Sequence, residues 1–244
     1  MSLLAIIGGT GLTRLPEFET QRRQPANTRW GVPSAELTFG RLHGRDIVFL
    51  ARHGDSHTIP PHRINYRANI QALKDVGVTE IVACAAVGGI RSDMGPARLA
   101  VPSQIIDYSY GRAHTYFEDD LDHVTHIDFT FPYTPQLRER LLDAGQQAGL
   151  RVVDGGVYGC TQGPRLETPA EITRMERDGC DLVGMTGMPE AALAREAGID
   201  YACVAVVANW AAGKTSEEIT MAEIEAHLAR GMADLASLLQ AFLS

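Results

Sequence analysis

The sequence predicts an α/β fold built on a largely parallel or mixed sheet, and three observations carry that prediction. Apolar runs of about 4–8 residues, rich in Val and Ile, alternate with helical patterns along most of the chain. The helical segments between them begin at readable caps. No internal repeat, low-complexity tract or Pro/Ser-rich linker interrupts the 244 residues, which are therefore read as one domain spanning 1–244.

The elements follow in order. Residues 3–7 form an apolar run too short for a secretory signal, without a basic flank or a small-residue cleavage site, and are expected to be the first strand. Further buried strands are expected at 46–51, 80–86, 104–107, 156–160, 182–185 and 201–207. The stretch 108–135 has little periodicity, carries His114, His123 and His126 among several aromatics, and reads as a long excursion. Loops of that length are usually functional or lie at an interface. Thr134 and Pro135 then supply a cap and a first-turn proline ahead of Leu137, Leu141 and Leu142. Thr168 with Glu171, and Thr220 with Glu223, fit the capping box, in which cap and third residue satisfy each other's orphan N–H groups. In the last helix Ile224, Leu228, Met232, Leu235, Leu239 and Phe242 make one apolar stripe.

Composition narrows the partners. With 22 Lys and Arg against 30 Asp and Glu, the formal net charge is −8. A chain that acidic, without a run of like charge, is a poor nucleic-acid or membrane-surface binder, although a local pocket can still hold an anion. No apolar run approaches the ~18 residues that would span a bilayer. Cys84, Cys160, Cys180 and Cys203 are widely separated and form no C-x-x-C pair, so reduced core thiols in a cytoplasmic protein are expected.

Glycine-bearing strand exits dominate the chemistry. Gly8, Gly9, Thr10 and Gly11 follow the first strand, where small residues either let the backbone approach an anion or simply make a tight exit. A dinucleotide fingerprint is disfavoured because Arg14 occupies the third glycine position. Arg52 and His53 end the strand at 46–51; Arg52 offers a planar fork suited to phosphate or carboxylate, and His53 could donate beside it. His53, His57 and His62 offer three metal-ligating side chains, but they flank a Pro60–Pro61 turn without an accompanying carboxylate motif, so metal is the weaker reading. Gly88 and Gly89, residues 163–168 and residues 184–190 mark further strand exits, and their convergence on one sheet edge predicts a pocket. Residues 208–215 imitate a phosphate-binding loop, but Ala208 replaces its first glycine, so no nucleoside-triphosphate site is expected. His43 and His227 read as solvated surface histidines. The chain has no G-x-S-x-G or H-E-x-x-H.

Together these motifs carry a resemblance. I-I-G-G-T-G-L at 6–12, L-A-R-H-G at 50–54, N-Y-R-A-N-I-x-A-L-K at 65–74, G-P-R-L-E-T-x-A-E at 163–171 and G-M-T-x-M-P-E-A-x-L-A-R-E at 184–196 are similar to the trimeric nucleoside phosphorylases, nearest the methylthioadenosine phosphorylase branch. The resemblance implies a mixed, distorted sheet flanked by helices, assembled as a homotrimer. It also implies a pentosyltransferase of purine salvage that joins phosphate to the sugar of a purine nucleoside and releases the base. Phosphate is then a co-substrate, and no metal or organic cofactor is needed. Thr10, Arg52, His53 and Thr186 stand where the family holds phosphate. Ala85 and Ala86 line phosphate and sugar, with Ala85 replacing a residue that is often polar. Met185 faces the sugar, Leu166, Trp210 and Ala211 stand near the substrate, and His126 resembles a residue reaching a neighbouring subunit's pocket.

The resemblance also assigns the two ends of the substrate. The adenine-specific branch usually has acidic residues where this chain has Asn209 and Ala211, and a small residue at Glu167, whereas Glu167 with Asn209 is like the 6-oxopurine phosphorylases. An ionised Glu167 would accept from N1–H of hypoxanthine but would face the N1 lone pair of adenine. Asn209 is the expected leaving-group residue and His53 its catalytic companion at the phosphate. Met221 and Ile224 resemble an apolar wall for a 5′-methylthio group, although both could be helix–sheet core. The two ends together imply 5′-methylthioinosine as substrate; methylthioadenosine, or inosine and guanosine, are the alternatives.

Overall fold

The computed structural model describes residues 2–9, 12, 17–119, 121–216 and 218–244. Thr10, Gly11 and Arg14, which the sequence placed at the first strand exit, lie outside the described residues.

Among the described residues eleven strands join in one mixed sheet, with helices packed on it. The strands are β1 (Leu3–Gly8), β2 (Glu19–Gln24), β3 (Leu37–Leu42), β4 (Arg45–Ala51), β5 (Val78–Gly89), β6 (Leu99–Val101), β7 (Gln104–Asp107), β8 (Val152–Asp154), β9 (Val157–Cys160), β10 (Leu182–Gly184) and β11 (Asp200–Trp210). All seven expected strands are present. The sequence missed β2, β3, β6 and β8: β2 is polar and mostly exposed, so it shows no buried run, while β6 and β8 have only three residues each. Helices α1 (Tyr66–Asp75) and α4 (Gly187–Glu196) join the expected α2 (Pro135–Gln147), α3 (Pro169–Arg177) and α5 (Met221–Leu243).

Both capping boxes form, at Thr168 with Glu171 and at Thr220 with Glu223. Thr134 occupies the N-cap of α2 without capping it. Its hydroxyl instead accepts from the Tyr201 amide at 3.0 Å and donates to Asp200 at 3.2 Å, tying the helix start to the start of β11. In α5, Leu228, Leu235 and Leu239 are buried, while Ile224, Met232 and Phe242 pack partly buried against the same core. The excursion from 108 to 134 contains no helix or strand among its described residues.

The sheet opens along one edge of β5. Parallel β11 covers the other edge from Glu80 to Gly89. On the open side β1 pairs only as far as Ala83, and antiparallel β10 joins only at Gly88 and Gly89. Residues 84–87 therefore lie between two diverging strands, and the gap is where a cavity forms. Gly88 and Gly89, expected just beyond the strand, belong to it. Gly89 is required by proximity, because a Cβ there would sit 1.8 Å from the Met94 carbonyl oxygen. Gly89→Ala is expected to cost about 3 kcal/mol of stability, measured from the urea midpoint; a loss below about 0.5 kcal/mol would show that the 90–95 turn yields without strain.

Candidate active site

A cavity of about 430 Å³ occupies the gap beside β5. Its floor is Ala85, Ala86, Val87 and Gly88, and Gly9, directly after β1, joins the lining. A Cβ on Gly9 would lie 2.7 Å from the Cys84 carbonyl oxygen and 2.8 Å from Arg52 Nη1, so only glycine lets β1 exit this close.

Arg52 follows β4 directly, and its amide still bonds the Gly8 carbonyl at 2.9 Å. Its side chain is 1% exposed and lies against Glu190, which is 0% exposed. Arg52 Nε and Nη2 donate to the two Glu190 carboxylate oxygens at 2.6 and 2.7 Å, and Nη1 donates to the Cys84 carbonyl at 2.9 Å. Tyr201 donates its hydroxyl to Glu190 at 2.8 Å. Burial by itself pushes the guanidinium pKa down, but the charge and hydrogen bonds of Glu190 outweigh it and hold the cation charged. Of the five guanidinium donors, three N–H bonds are accounted for and two remain at a residue that lines the cavity. Glu190 was not singled out by the sequence as a site residue; the signal available was an acidic residue inside an apolar helix.

His53 Nδ1 lies 2.8 Å from the Ile59 carbonyl oxygen, so it carries the proton and donates. Burial and, next, the Arg52 charge push the ring's pKa down from 6.5 to about 4. A neutral ring with Nδ1–H presents Nε2 as an acceptor, which corrects the expectation of a donor. The His57 ring lies 4.6 Å away, centroid to centroid, and burial pushes its pKa down as well. Among the described residues, no group of three or more His, Cys, Asp or Glu side chains is arranged to hold a metal ion.

At the far end, Thr161 donates its hydroxyl to Glu167 Oε1 at 2.6 Å. Burial raises the Glu167 pKa, and the bond from Thr161 opposes that rise. Asn209 owes its position to a bulge: β11 pairs in register with β5 through Val207 opposite Val87, then resumes with Asn209 opposite Gly88. The extra residue breaks the two-residue alternation, so both Ala208 and Asn209 line the cavity. The Asn209 amide donates to the Trp210 carbonyl at 2.6 Å, which leaves its oxygen on the opposite edge of the carboxamide.

Thr186, Met185, Leu166, Ala211, Met221 and Ile224 all line the cavity. Met221 is 65% exposed and Leu166 44% exposed, so they form its mouth rather than core. Trp210 does not line it; a Cβ on Gly95 would lie 3.0 Å from its indole ring, and its carbonyl holds Asn209. His126 is exposed on the excursion and lines no part of this cavity. His227 is half-buried and donates to the Ala208 carbonyl at 3.0 Å, anchoring α5 beside the β11 bulge rather than facing solvent. The loop that imitates a phosphate-binding motif is spent structurally: Ala208 to Trp210 belong to β11, and Lys214 pairs with Glu176 at 2.7 Å.

On this α/β sheet the open edge of β5 therefore gathers a cation held by Glu190, a carboxylate and a carboxamide around one ligand-sized space. The chain belongs to the Phosphorylase superfamily, which it matches over residues 3–244. A probable S-methyl-5′-thioinosine phosphorylase from Pseudomonas syringae pv. tomato is 56% identical, over 100% of this chain and 99% of that protein. The 6-oxopurine nucleoside phosphorylase of Pyrococcus furiosus is 41% identical, over 99% of this chain and 92% of its own. Methylthioadenosine phosphorylase from Schistosoma mansoni, solved with adenine, superposes with a TM-score of 0.95 at 30% identity, covering 100% of this chain and 91% of that one.

Two tests address the geometry directly. Glu190→Ala leaves Arg52 buried without its carboxylate and should cost roughly 3–5 kcal/mol in urea unfolding, whereas Arg52→Met with Glu190→Met should recover much of that loss. A double variant no more stable than Glu190→Ala would count against the pair as the cause. His53 binds a proton more weakly folded than unfolded, so acidification from pH 6.5 to about 4 favours the unfolded chain. His53 contributes at most roughly 3 kcal/mol of that loss, and His57 adds in the same direction. His53→Asn, which can still donate to Ile59, should therefore show a shallower fall in stability across that window; an unchanged slope would mean that His53 titrates normally.

Proposed function

We propose that this chain catalyses phosphorolysis of 5′-methylthioinosine, forming hypoxanthine and 5-methylthioribose 1-phosphate. The observation that carries this reading is the placement of Glu167 and Asn209 in the same cavity as Arg52, under an apolar mouth made by Ile219, Met221 and Ile224. The 56% identical relative bearing a name for that activity supports it.

Phosphate would lie between Arg52, Thr186 and the backbone of Ala85 and Ala86, and the resemblance adds Thr10 to its ligands. Glu190 fixes the plane of Arg52, so the two remaining N–H donors are aimed before any anion arrives. His53 Nε2 would accept the O–H of monohydrogen phosphate, turning an unprotonated oxygen toward C1′. Thr186 sits at the N-cap of α4 without capping it, lines the cavity and would turn its hydroxyl to the anion. The Ala85 methyl supplies no polar contact, so backbone groups carry that side.

Phosphate oxygen forms a bond to C1′ as the C1′–N9 bond breaks and its electron pair passes to the purine. N7 takes up a proton by way of solvent, in net terms the one that monohydrogen phosphate gives up on becoming the sugar phosphate, and Asn209 Oδ1 accepts from the new N7–H. Glu167 accepts from N1–H and leaves adenine, which has no proton there, facing a carboxylate. Met185 packs against the sugar. Met221 and Ile224 suit a methylthio group better than a 5′-hydroxyl, a preference worth about 1–3 kcal/mol for a methyl-sized contact.

A homotrimer fits the exposed apolar side chains of the excursion, Tyr110, Leu121, Val124 and Phe131, and would let His126 reach a neighbouring cavity mouth. Four buried free cysteines suit a cytoplasmic setting. No helix among the described residues is long and apolar enough to cross a membrane.

The test is phosphate-dependent turnover of 5′-methylthioinosine, 5′-methylthioadenosine, inosine, guanosine and adenosine, compared by kcat/KM. Methylthioinosine is expected to lead, and Asn209→Asp with Glu167→Ser should shift preference toward methylthioadenosine. A wild-type lead for methylthioadenosine would overturn the base assignment, and a lead for inosine would overturn the apolar 5′ wall.

A further inference from the structure

Arg112 lies in the excursion, is only 9% exposed, and does not line the cavity. Its guanidinium nevertheless grips both halves of the cavity wall. Nη1 donates to the carbonyls of Met185 at 2.9 Å and Met188 at 2.5 Å, and reaches the Tyr66 hydroxyl at 3.4 Å. Nη2 donates to the carbonyls of Thr161 at 3.1 Å and Gln162 at 2.9 Å, while Nε donates to Gln162 Oε1 at 3.1 Å. None of these partners is a carboxylate. The guanidinium is satisfied wholly by neutral oxygens, four of them backbone carbonyls.

The two gripped segments have different tasks. Residues 161–167 carry Thr161, whose hydroxyl holds Glu167. Residues 185–188 carry Met185 and Thr186, which face the sugar and anion end. We infer that Arg112 is a positioning residue that sets the distance between the base-reading carboxylate and the sugar–phosphate segment, so that discrimination between 6-oxo and 6-amino purines depends on a side chain outside the cavity. The inference rests on the proposed base reading by Glu167. A rigid planar fork is needed for this, since one guanidinium spans both loops in fixed directions while an ammonium is a single point donor. The same contacts settle the place of Gln162: its side-chain oxygen is held by Arg112 and by the Tyr110 amide.

The experiment measures kcat/KM for methylthioinosine and methylthioadenosine, at saturating phosphate, in wild type, Arg112→Lys and Arg112→Ala, with the Ala variant also assayed in millimolar guanidinium chloride. Misplacement of a reacting geometry by an ångström costs on the order of 100-fold, and that loss is expected for methylthioinosine in both variants. The methylthioinosine-to-methylthioadenosine ratio should fall by about tenfold, and guanidinium should restore at least part of both rate and ratio in Arg112→Ala. Parallel loss for both substrates with an unchanged ratio, or wild-type kinetics in folded Arg112→Lys, would overturn the inference. If Arg112→Ala fails to fold, Arg112→Lys decides alone. The wild-type ratio judges the substrate reading, and only its change from wild type to variant judges Arg112.

Discussion

The open edge of β5 is the constraint from which the rest of this molecule follows. Hydrogen bonding to β11 along the other edge holds β5 straight and extended through Gly89. On the open edge, β1 leaves after Ala83 and β10 arrives at Gly88, so the backbone between them is unpaired by any strand. Unpaired backbone polar groups beside a cavity must meet a side chain, water or ligand. The Cys84 carbonyl meets Arg52, and the remainder of that edge faces the space in which a substrate would lie. Small residues at 83–86, 88 and 89 keep the edge accessible, because a larger side chain would fill what the diverging strands open.

An acidic protein holds its cations for local use, and the two buried arginines illustrate two ways of doing so. Arg52 is neutralised by Glu190 in a bidentate pair, an arrangement costly to desolvate but rigid once formed. That rigidity fixes the direction of the donors left over. Arg112 is surrounded by carbonyl oxygens and ties together the two segments that leave the paired strands β9 and β10. One arginine therefore presents charge to the cavity, and the other spends its donors on the shape of the wall. The neutral His53 beside Arg52 follows from the same economy: a second cation in a buried position next to the first is disfavoured, so its proton sits on Nδ1 facing Ile59.

Much of the architecture could be read from the residues. Buried strands such as 80–86 and 201–207 announce themselves because burial on both faces demands continuous apolar character, and capping boxes at Thr168 and Thr220 are local devices whose hydrogen bonds span three residues. The polar strand β2 could not be read, because its pairing with β3 supplies hydrogen bonds and not burial. Most candidate site residues also converge as the motifs suggested, since strand exits on one edge of a sheet share a neighbourhood. Trp210 departs from that pattern because the β11 bulge sends Ala208 and Asn209 to the cavity and turns the indole toward Gly95.

The residue types alone gave an α/β chain, its strand exits, its caps and donors suited to an anion, while the purine end came from the resemblance that the motifs carry. Tertiary structure alone decided how those groups are aimed. Glu190 pairs with a residue 138 positions away, Arg112 spans loops 49 to 76 positions distant, and His53 takes its tautomer from a carbonyl on a turning segment. Such directions arise from long-range hydrogen bonds in a buried, low-dielectric setting, where an unpaired donor is too costly to leave and the partner is chosen by the fold. Local sequence encodes which groups are available; only the folded sheet brings each to the partner that fixes its orientation.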